Sequence, residues 1–489
     1  MLSSKVQAII LAAGKSTRFN TGRTKLLEKI CGQEIILYTT RLLEQLSVPM
    51  SVVIGYQKDV IQEVINIRHR NTISFVVQEE QKGTGHALIC SSGAWEREHI
   101  LVINGDVPLV TTEIIETLYE KHTSAHADVS FVIAHNADPA IGGYGRVVRD
   151  GDSIQIVEAR DFEGDANEHC CINAGIYLVK RSFLEECVSN FTLNEKTKEF
   201  YITDLIKIAS DQKRIVKTAS ASFDRIRGIN TLQELWAAEQ IKRAELIKYW
   251  MEKGVHFSIP QNIHIDLNVN IGPGTYIGCG VHLLAGSAIG KNCKVHEFSA
   301  IENSTIGDNC QIYAHSIIKD STIGSNCQIG PFTHIKEHSH VGENAILGNF
   351  VEVKKSIIGN GTRAKHLAYL GDAHIGANVN IGAGTITCNY NGMSKHHTVI
   401  HDNAFIGSNN TLIAPVIIEK DAYTAAGSVI SENVPAQALA IARARQVNKE
   451  GYAHQLREIK INDAPENATT IPSFVAALKT NNTSTPESA

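Results

Sequence analysis

No stretch of this chain approaches the ~20 consecutive apolar residues that a membrane-crossing helix needs, so nothing in it reads as a span. Positive charge is not in excess. Lys plus Arg number 46 against 51 Asp plus Glu, a formal net charge of −5, with no basic block. That balance argues against nucleic acid, whose phosphates select clustered Lys and Arg. None of the ten cysteines (31, 90, 170, 171, 187, 279, 293, 310, 327 and 388) forms a CxxC pair, which argues against structural zinc. A secretory signal is also missing. The short apolar run Val6–Leu11 leads into Ala-Ala-Gly-Lys rather than a cleavage site and reads as a first strand. The expectation is a cytoplasmic protein with reduced, mostly packed cysteines. An apolar fraction of 43% and a charged fraction of 20% exclude a disordered or collagen-like chain.

The 489 residues divide by pattern. Over 1–229, Val/Ile-rich runs (Val6–Leu11, Ser51–Ile54, Ile73–Val77, Ile100–Ile103, Val129–Ile133) alternate with helical spacing at Leu37–Leu46 and Glu113–Tyr119. Strand–helix–strand order predicts an α/β domain with a mostly parallel sheet covered on both faces. Ligands on such sheets bind outside the carboxyl ends of the strands. Thr231-Leu-Gln-Glu234 has the form of a capping box, and Gly254 suits a helix stop. A linker helix is therefore expected over 230–254.

Beyond it the period changes. Ile265, Ile271, Ile277, Leu283, Ile289, Val295 and Ile301 stand six apart, and after single five-residue steps the series resumes at Ile306, Ile312, Ile318, then Ile323, Ile329, Ile335, Val341, Leu347, Val353, then Ile358, Ala364, Leu370, then Ile375, Ile381. Six matches neither helix nor hairpin. It is the mark of a parallel β-helix, in which each hexapeptide forms one short face of a coil. Gly, Asn and Asp beside the aliphatics suit corners that need positive φ. This reading covers 255–455. From 456 to 489 the chain turns polar and is expected to be a mobile tail.

Leu11-Ala-Ala-Gly14-Lys15-Ser16-Thr17-Arg18 follows the first strand. It is not a Walker loop, because position 9, which that pattern requires to be glycine, is Ile9. What remains is a small-residue turn with bases at Lys15, Arg18 and Lys25, suited to phosphate but equally readable as a tight turn with solvated cations. Gln81-Lys-Gly83-Thr84-Gly85-His86 and Asn104-Gly105-Asp106 follow two later strands. Three polar turns after three strands would share the ligand edge. In the second half, Lys354, Lys355, Arg363, Lys365, His366, Tyr369, Asn380, Asn389, Tyr390 and Lys395 crowd a region otherwise of small and aliphatic residues. Such a cluster fits an anionic ligand or a solvated basic face.

Leu11-Ala-Ala-Gly14-Lys15-x-Thr17-Arg18, Gln81-x-Gly83-Thr84-Gly85-His86-Ala87, Gly105-Asp106-Val107-Pro108-Leu109, Gly143-Tyr144-Gly145-Arg146, Ile156-Val157-Glu158-Ala159, Ile172-Asn173-x-Gly175-Ile176 and Tyr201-Ile202-Thr203-Asp204 occur in this order. Lys365-His366-Leu367-x-Tyr369-Leu370-Gly371-Asp372 and Asn380-Ile-Gly-Ala383-Gly-Thr-Ile-Thr-Cys-Asn389-Tyr390 follow. Over residues 5 to 453 the chain resembles the bacterial bifunctional N-acetylglucosamine-1-phosphate uridyltransferase / glucosamine-1-phosphate acetyltransferases. The resemblance implies a nucleotidyltransferase domain, a linker helix and a left-handed β-helix. It also implies a cytoplasmic homotrimer that uses Mg²⁺, UTP and acetyl-CoA to supply cell-envelope precursors.

By the same resemblance, Leu11, Ala12, Gly14, Arg18, Lys25 and Asn104 border the nucleotide, with Arg18 and Lys25 on the triphosphate. Gln78, Gln81, Gly83 and Thr84 surround the uracil, Asp106 and Asn230 ligate Mg²⁺, and Gly145, Glu158 and Asn173 contact the acetylated sugar. His366 is the base of acetyl transfer. Lys336, Lys354, Tyr369, Asn380 and Lys395 form the glucosamine-phosphate pocket. Asn389 orients the amine and base and, with Tyr390, Ala383, Ser408, Ala426 and Arg443, borders acetyl-CoA. The chain departs from the family at Ser16 (usually Gly), Phe19 (Met), Thr24 (Pro), Asn104 (often aromatic), Ala174 (often Thr) and Lys336 (Arg). If the loop needs positive φ at 16, serine there costs on the order of 1 kcal/mol. Alternatives to this reading are the same architecture serving another sugar or nucleotide, a non-enzymatic scaffold, and a β-helix metalloenzyme of the γ-carbonic-anhydrase type.

Overall fold

The computed structural model describes residues 2–19, 22–135, 143–151, 153–162 and 170–462. It divides into two compact units, 1–441 and 442–489.

The first half of unit one is an α/β domain on a mixed sheet. Its strands β1 (Val6–Ala12), β2 (Met50–Ile54), β3 (Ser74–Val77), β4 (His99–Asn104), β5 (Val129–His135), β6 (Cys171–Lys180) and β7 (Val216–Ser220) lie in the order β7-β5-β6-β4-β1-β2-β3. Neighbours are parallel except at β6, which runs antiparallel to β4 and β5. The Val/Ile runs of β1 and β5 are buried almost throughout, as helices on both faces require. The five anticipated strands are present within a residue or two at their ends. β6 was not anticipated. Asn173-Ala174-Gly175 interrupts its apolar run and sits at a register shift against β5, with Gly175 at φ +71°.

The linker helix is Leu232–Glu252. Thr231 accepts from the Glu234 N–H at 3.2 Å, the half of the capping box that Thr231-x-x-Glu234 predicts, while the Glu234 carboxylate reaches one residue further back and accepts from the Asn230 N–H at 2.7 Å and the Thr231 hydroxyl at 3.2 Å. Gly254, at φ +85°, closes the last turn. The Leu267 N–H donates to the Cys31 carbonyl at 2.9 Å, tying the first coil to the sheet domain.

From His256 to Ala440 the chain winds as a left-handed parallel β-helix, which ends short of the expected 455. Every aliphatic of the period-six series is 5% exposed or less. Leu283 pairs with Ile301, but Ile301 pairs with Ile318, so a five-residue step shortens its coil by one residue without breaking the stack. Ile381 pairs with Ile406, a longer coil that carries the loop 389–397. One corner column follows expectation, with Asn292, Asn309, Asn326, Asn344 and Asn378 at positive φ. Another does not. Gly280, Phe298, His315, Phe332, Phe350, Leu367, Gly384, Asn409 and Gly427 all have φ between +37° and +78°. The rings stack coil on coil at 5.3, 4.9 and 5.5 Å from Phe298 through His315 and Phe332 to Phe350. Those contacts offset a backbone cost of roughly 1–2 kcal/mol per non-glycine residue.

In the second unit, Tyr452–Asn462 is helical. The expected tail thus starts inside a helix, and its remainder, 463–489, lies outside the described residues.

Candidate active sites

The carboxyl ends of β1, β3 and β4 open onto a cavity of about 610 Å³. Every candidate proposed for the uridylyl site, from Leu11 to Asn230, lines it. The loop after β1 does place Ser16 at φ +53°. In return the Ser16 hydroxyl accepts the Lys25 N–H at 3.1 Å. Thr24, where the family has proline, is fully buried and donates its N–H to Gln57 Oε1 at 2.8 Å, a bond proline cannot make. Both departures thus brace the segment that presents Lys25.

Lys25 Nζ donates to Asp106 Oδ2 at 2.5 Å and to Asn230 Oδ1 at 2.8 Å, and Arg18 donates to the same Asn230 oxygen at 2.8 Å. A carboxylate and an amide oxygen therefore converge on one cationic point. This hard-oxygen pair, open to a cavity with room for waters and phosphates, fits Mg²⁺, which takes few protein ligands. Asn230 owes its position to the linker-helix cap, which fixes its backbone, and to the turn before it, where the Gly228 N–H donates to the Tyr144 hydroxyl at 3.0 Å.

Across the cavity, the half-buried Glu158 accepts from the Thr203 hydroxyl at 2.8 Å. Burial pushes its carboxyl above the usual range, and Asp161, Asp204 and Glu199 push the same way. Asn173 donates through Nδ2 to the Tyr177 hydroxyl at 2.6 Å and accepts the Gly175 N–H at 3.1 Å, so its amide cannot flip. At the other end, Gln78 Nε2 donates to the Gly83 carbonyl at 3.2 Å and Gln81 Nε2 to the Gln78 carbonyl at 3.1 Å. Gly83, at φ +94°, has the Phe200 carbonyl where a Cβ would go. Thr203, Tyr144 and Tyr177 were given no role from sequence. The motifs holding Thr203 and Tyr144 were visible, but a residue that holds another carries no signal of its own.

On the β-helix, His366 is exposed at the corner bearing the aromatic stack. The register sets Asn349 opposite it, with His366 Nδ1 2.9 Å from Asn349 Oδ1. Arg363 pairs with Asn380 and Tyr369 with Ile386, which sets Ala383 one coil beyond His366. The following pairings bring Ser408 and then Ala426 into the same column. Three candidates scattered in sequence therefore form one line leading away from the imidazole. Beside that line the corner residues are Gly384, Asn409 and Gly427, where the coils on the other side of His366 carry rings.

Lys336 and Lys354 are register partners on the face that follows His366. Lys336 pairs with Glu352 at 2.9 Å and Lys354 with Glu337 at 3.2 Å. Glu337 holds the Lys354 ammonium above its ordinary range, and Lys395 approaches closely enough to interact with it. Tyr369 lies on the same face, its ring folded over Gly371. Asn380 does not join them in one chain, because it stands on the preceding face, paired with Arg363. Asn389 is buried at the far corner, donating to Asp372 Oδ2 at 2.5 Å. Roughly 15–20 Å of extended strand separates it from His366, so the two side chains do not meet. Tyr390 is exposed, its hydroxyl donating to the Gly392 carbonyl at 2.6 Å. Arg443 is exposed in the second unit.

The sheet domain matches the MobA-like NTP transferase domain over residues 8–166. The β-helix matches the GMPPB C-terminal domain over 256–363 and the bacterial transferase hexapeptide (six repeats) over 397–432. "Bifunctional protein GlmU" of Koribacter versatilis is 37% identical over 462 residues, covering 93% of this chain and 97% of its own. The protein of that name from Thermodesulfovibrio yellowstonii is 40% identical over 456 residues, 93% and 100%. Among solved structures, a UDP-glucose pyrophosphorylase complexed with UDP-glucose aligns with 49% of this chain and 99% of its own, at 18% identity and a TM-score of 0.39, too slight a likeness to bear on function. The chain belongs to the GlmU family and is a bifunctional transferase, a uridyltransferase in its sheet domain and a glucosamine-1-phosphate acetyltransferase in its β-helix.

Proposed function

We propose that the chain makes UDP-N-acetylglucosamine in two steps, acetylation first, with the roles assigned as follows. In the β-helix, Lys336, Lys354 and Lys395 take the phosphate of glucosamine 1-phosphate and Tyr369 the sugar. Acetyl-CoA lies along the Ala383–Ser408–Ala426 column, with Tyr390 on it. His366 removes a proton from the amine, which attacks the thioester carbonyl. The C–N bond forms, the C–S bond breaks, and the proton passes on to the departing thiolate. A histidine, whose ordinary pKa lies near neutrality, suits both transfers.

In the sheet domain, a phosphate oxygen of N-acetylglucosamine 1-phosphate attacks the α-phosphorus of UTP in line, and pyrophosphate leaves. Leu11, Ala12, Gly14 and Asn104 border the nucleotide, and Gln78, Gln81, Gly83 and Thr84 its base. Gly145, Glu158 and Asn173 hold the acetylated sugar. Arg18 and Lys25 neutralise the triphosphate. Asp106 and Asn230 would hold Mg²⁺, which when bound supplies positive charge among the phosphate oxygens. Lys25 donates to those same two oxygens and, with Arg18, brings positive charge to the edge where the phosphates would lie.

The reading that places Asn380 and Asn389 in the acetyl site needs more than one copy, because one chain sets them on other faces and corners than Lys354 and His366. A threefold assembly with parallel coil axes would let Asn380 of the partner subunit face the lysines. We place this trimer in the cytoplasm, where UTP and acetyl-CoA are made. The observation that carries the whole reading is the pairing, in one chain, of an oxygen pair on the sheet's ligand edge with an exposed imidazole that heads a column of small residues. Offering the purified chain a panel of NTPs and sugar 1-phosphates tests it. UTP with N-acetylglucosamine 1-phosphate should exceed the other pairs by about tenfold or more, the discrimination one buried polar contact supplies. Turnover only with glucose or galactose 1-phosphate would contradict it.

A further inference from the structure

We propose that Asn349 sets the tautomer of His366 and so makes its outer nitrogen the base. This inference rests on the acetyl-transfer reading of His366. Ile346–Lys354 and Arg363–Gly371 are nine-residue strands that run across a corner most coils break, and their register pairs Asn349 with His366. The Lys365 carbonyl occupies the place where a Cβ on Gly348 would stand, so only glycine lets the strands approach this closely. The approach sets the two side chains at 2.9 Å, imidazole Nδ1 to amide Oδ1. An amide oxygen only accepts, so Nδ1 carries the proton and Nε2 keeps its lone pair. Nε2 is the ring nitrogen left free to take the amine proton. Were the amide reversed, its NH₂ would occupy the Nδ1 lone pair and Nε2 would carry hydrogen, which disables the base.

The surroundings leave this task to Asn349. On the other side His366 faces Ala383 and Gly384, which bring no polar side chain. Arg363 and Lys365 share its own strand, and Glu352 and Lys354 lie further along the facing strand. An amide also suits the chemistry better than a carboxylate. It fixes the ring without adding negative charge beside two anionic substrates, and without holding the imidazole protonated. Asn349 is therefore a positioning residue that acts through His366.

The test uses the full chain with Asn349→Ala, Asn349→Asp and, as a reference, His366→Ala. Asn349→Ala should lower the kcat of acetyl transfer about tenfold or more while leaving the KM for glucosamine 1-phosphate within about twofold. Asn349→Asp should retain activity at high pH but move the acid limb of the rate profile up by roughly one pH unit. Uridylyl transfer should be unchanged in both. The inference is overturned if Asn349→Ala keeps parental kcat, or if Asn349→Asp keeps the parental limb. Should His366→Ala itself retain acetyl transfer, the reading beneath the inference fails instead.

Discussion

The sheet domain and the β-helix build their sites by opposite routes. In the sheet domain, loops from residues 11 to 230 converge on one open cleft, and each side chain is placed by a different local device: an αL turn at Ser16, a bulge at Gly175, a helix cap at Asn230. In the β-helix the same position recurs coil after coil, so His366, Ala383, Ser408 and Ala426 line up by register alone. The first route closes a site within one chain. The second yields an open ridge, with partners such as Asn380 left on a neighbouring face. A convergent site is self-sufficient, and a periodic one invites another copy.

Mixing chains gives the sharpest contrast. Under the proposed threefold assembly, mixing equal amounts of His366→Ala and Asn380→Ala chains should recover acetyl transfer from near zero to about a quarter of the sites, if the two residues come from different subunits. Uridylyl transfer should be full in both parents and in the mixture. No recovery in verified mixed trimers would show that the acetyl site, too, closes within one chain.

A smaller difference concerns acid. His122 is buried in the sheet domain, with Nδ1 2.8 Å from the Ser130 hydroxyl and Nε2 3.1 Å from His99. Burial pushes its pKa down to about 3 and lowers that of His99 as well. A folded-state pKa below the unfolded one means that stability is present above about pH 6.5 and lost as pH falls toward 3. By pH 5 the His122 contribution should have fallen by on the order of 2 kcal/mol. The aliphatic interior of the coils has no such group. Hydrogen exchange at pH 7 and pH 5, corrected for intrinsic rates, should show β4 and β5 losing that protection while the coil residues from Leu283 to Val353 change less. Equal loss in both would refute the assignment.

The two halves also differed in how much the sequence disclosed. The coils were legible because a period of six has one structural meaning, and each predicted aliphatic is buried. The aromatic corner was not foreseen, since Phe298, Phe332 and Phe350 occupy backbone normally left to Gly or Asn, and only their stacking explains them. The Ala383–Ser408–Ala426 column was hidden because the loop 389–397 makes the spacing uneven. In the sheet domain, the family resemblance named candidates that all line the cavity, but Thr203 and Tyr144 act by holding other residues, a role their motifs do not announce. Asn349 went unnoticed for the same reason.

The most direct test of two independent sites in one chain is a pair of single substitutions, each assayed for both reactions in the full-length protein. Asp106→Ala should abolish uridylyl transfer and leave acetylation intact. His366→Ala should cut acetylation by about 10²–10⁴-fold and leave uridylyl transfer intact. Loss of both activities from either change, in a protein that remains folded, would contradict the account.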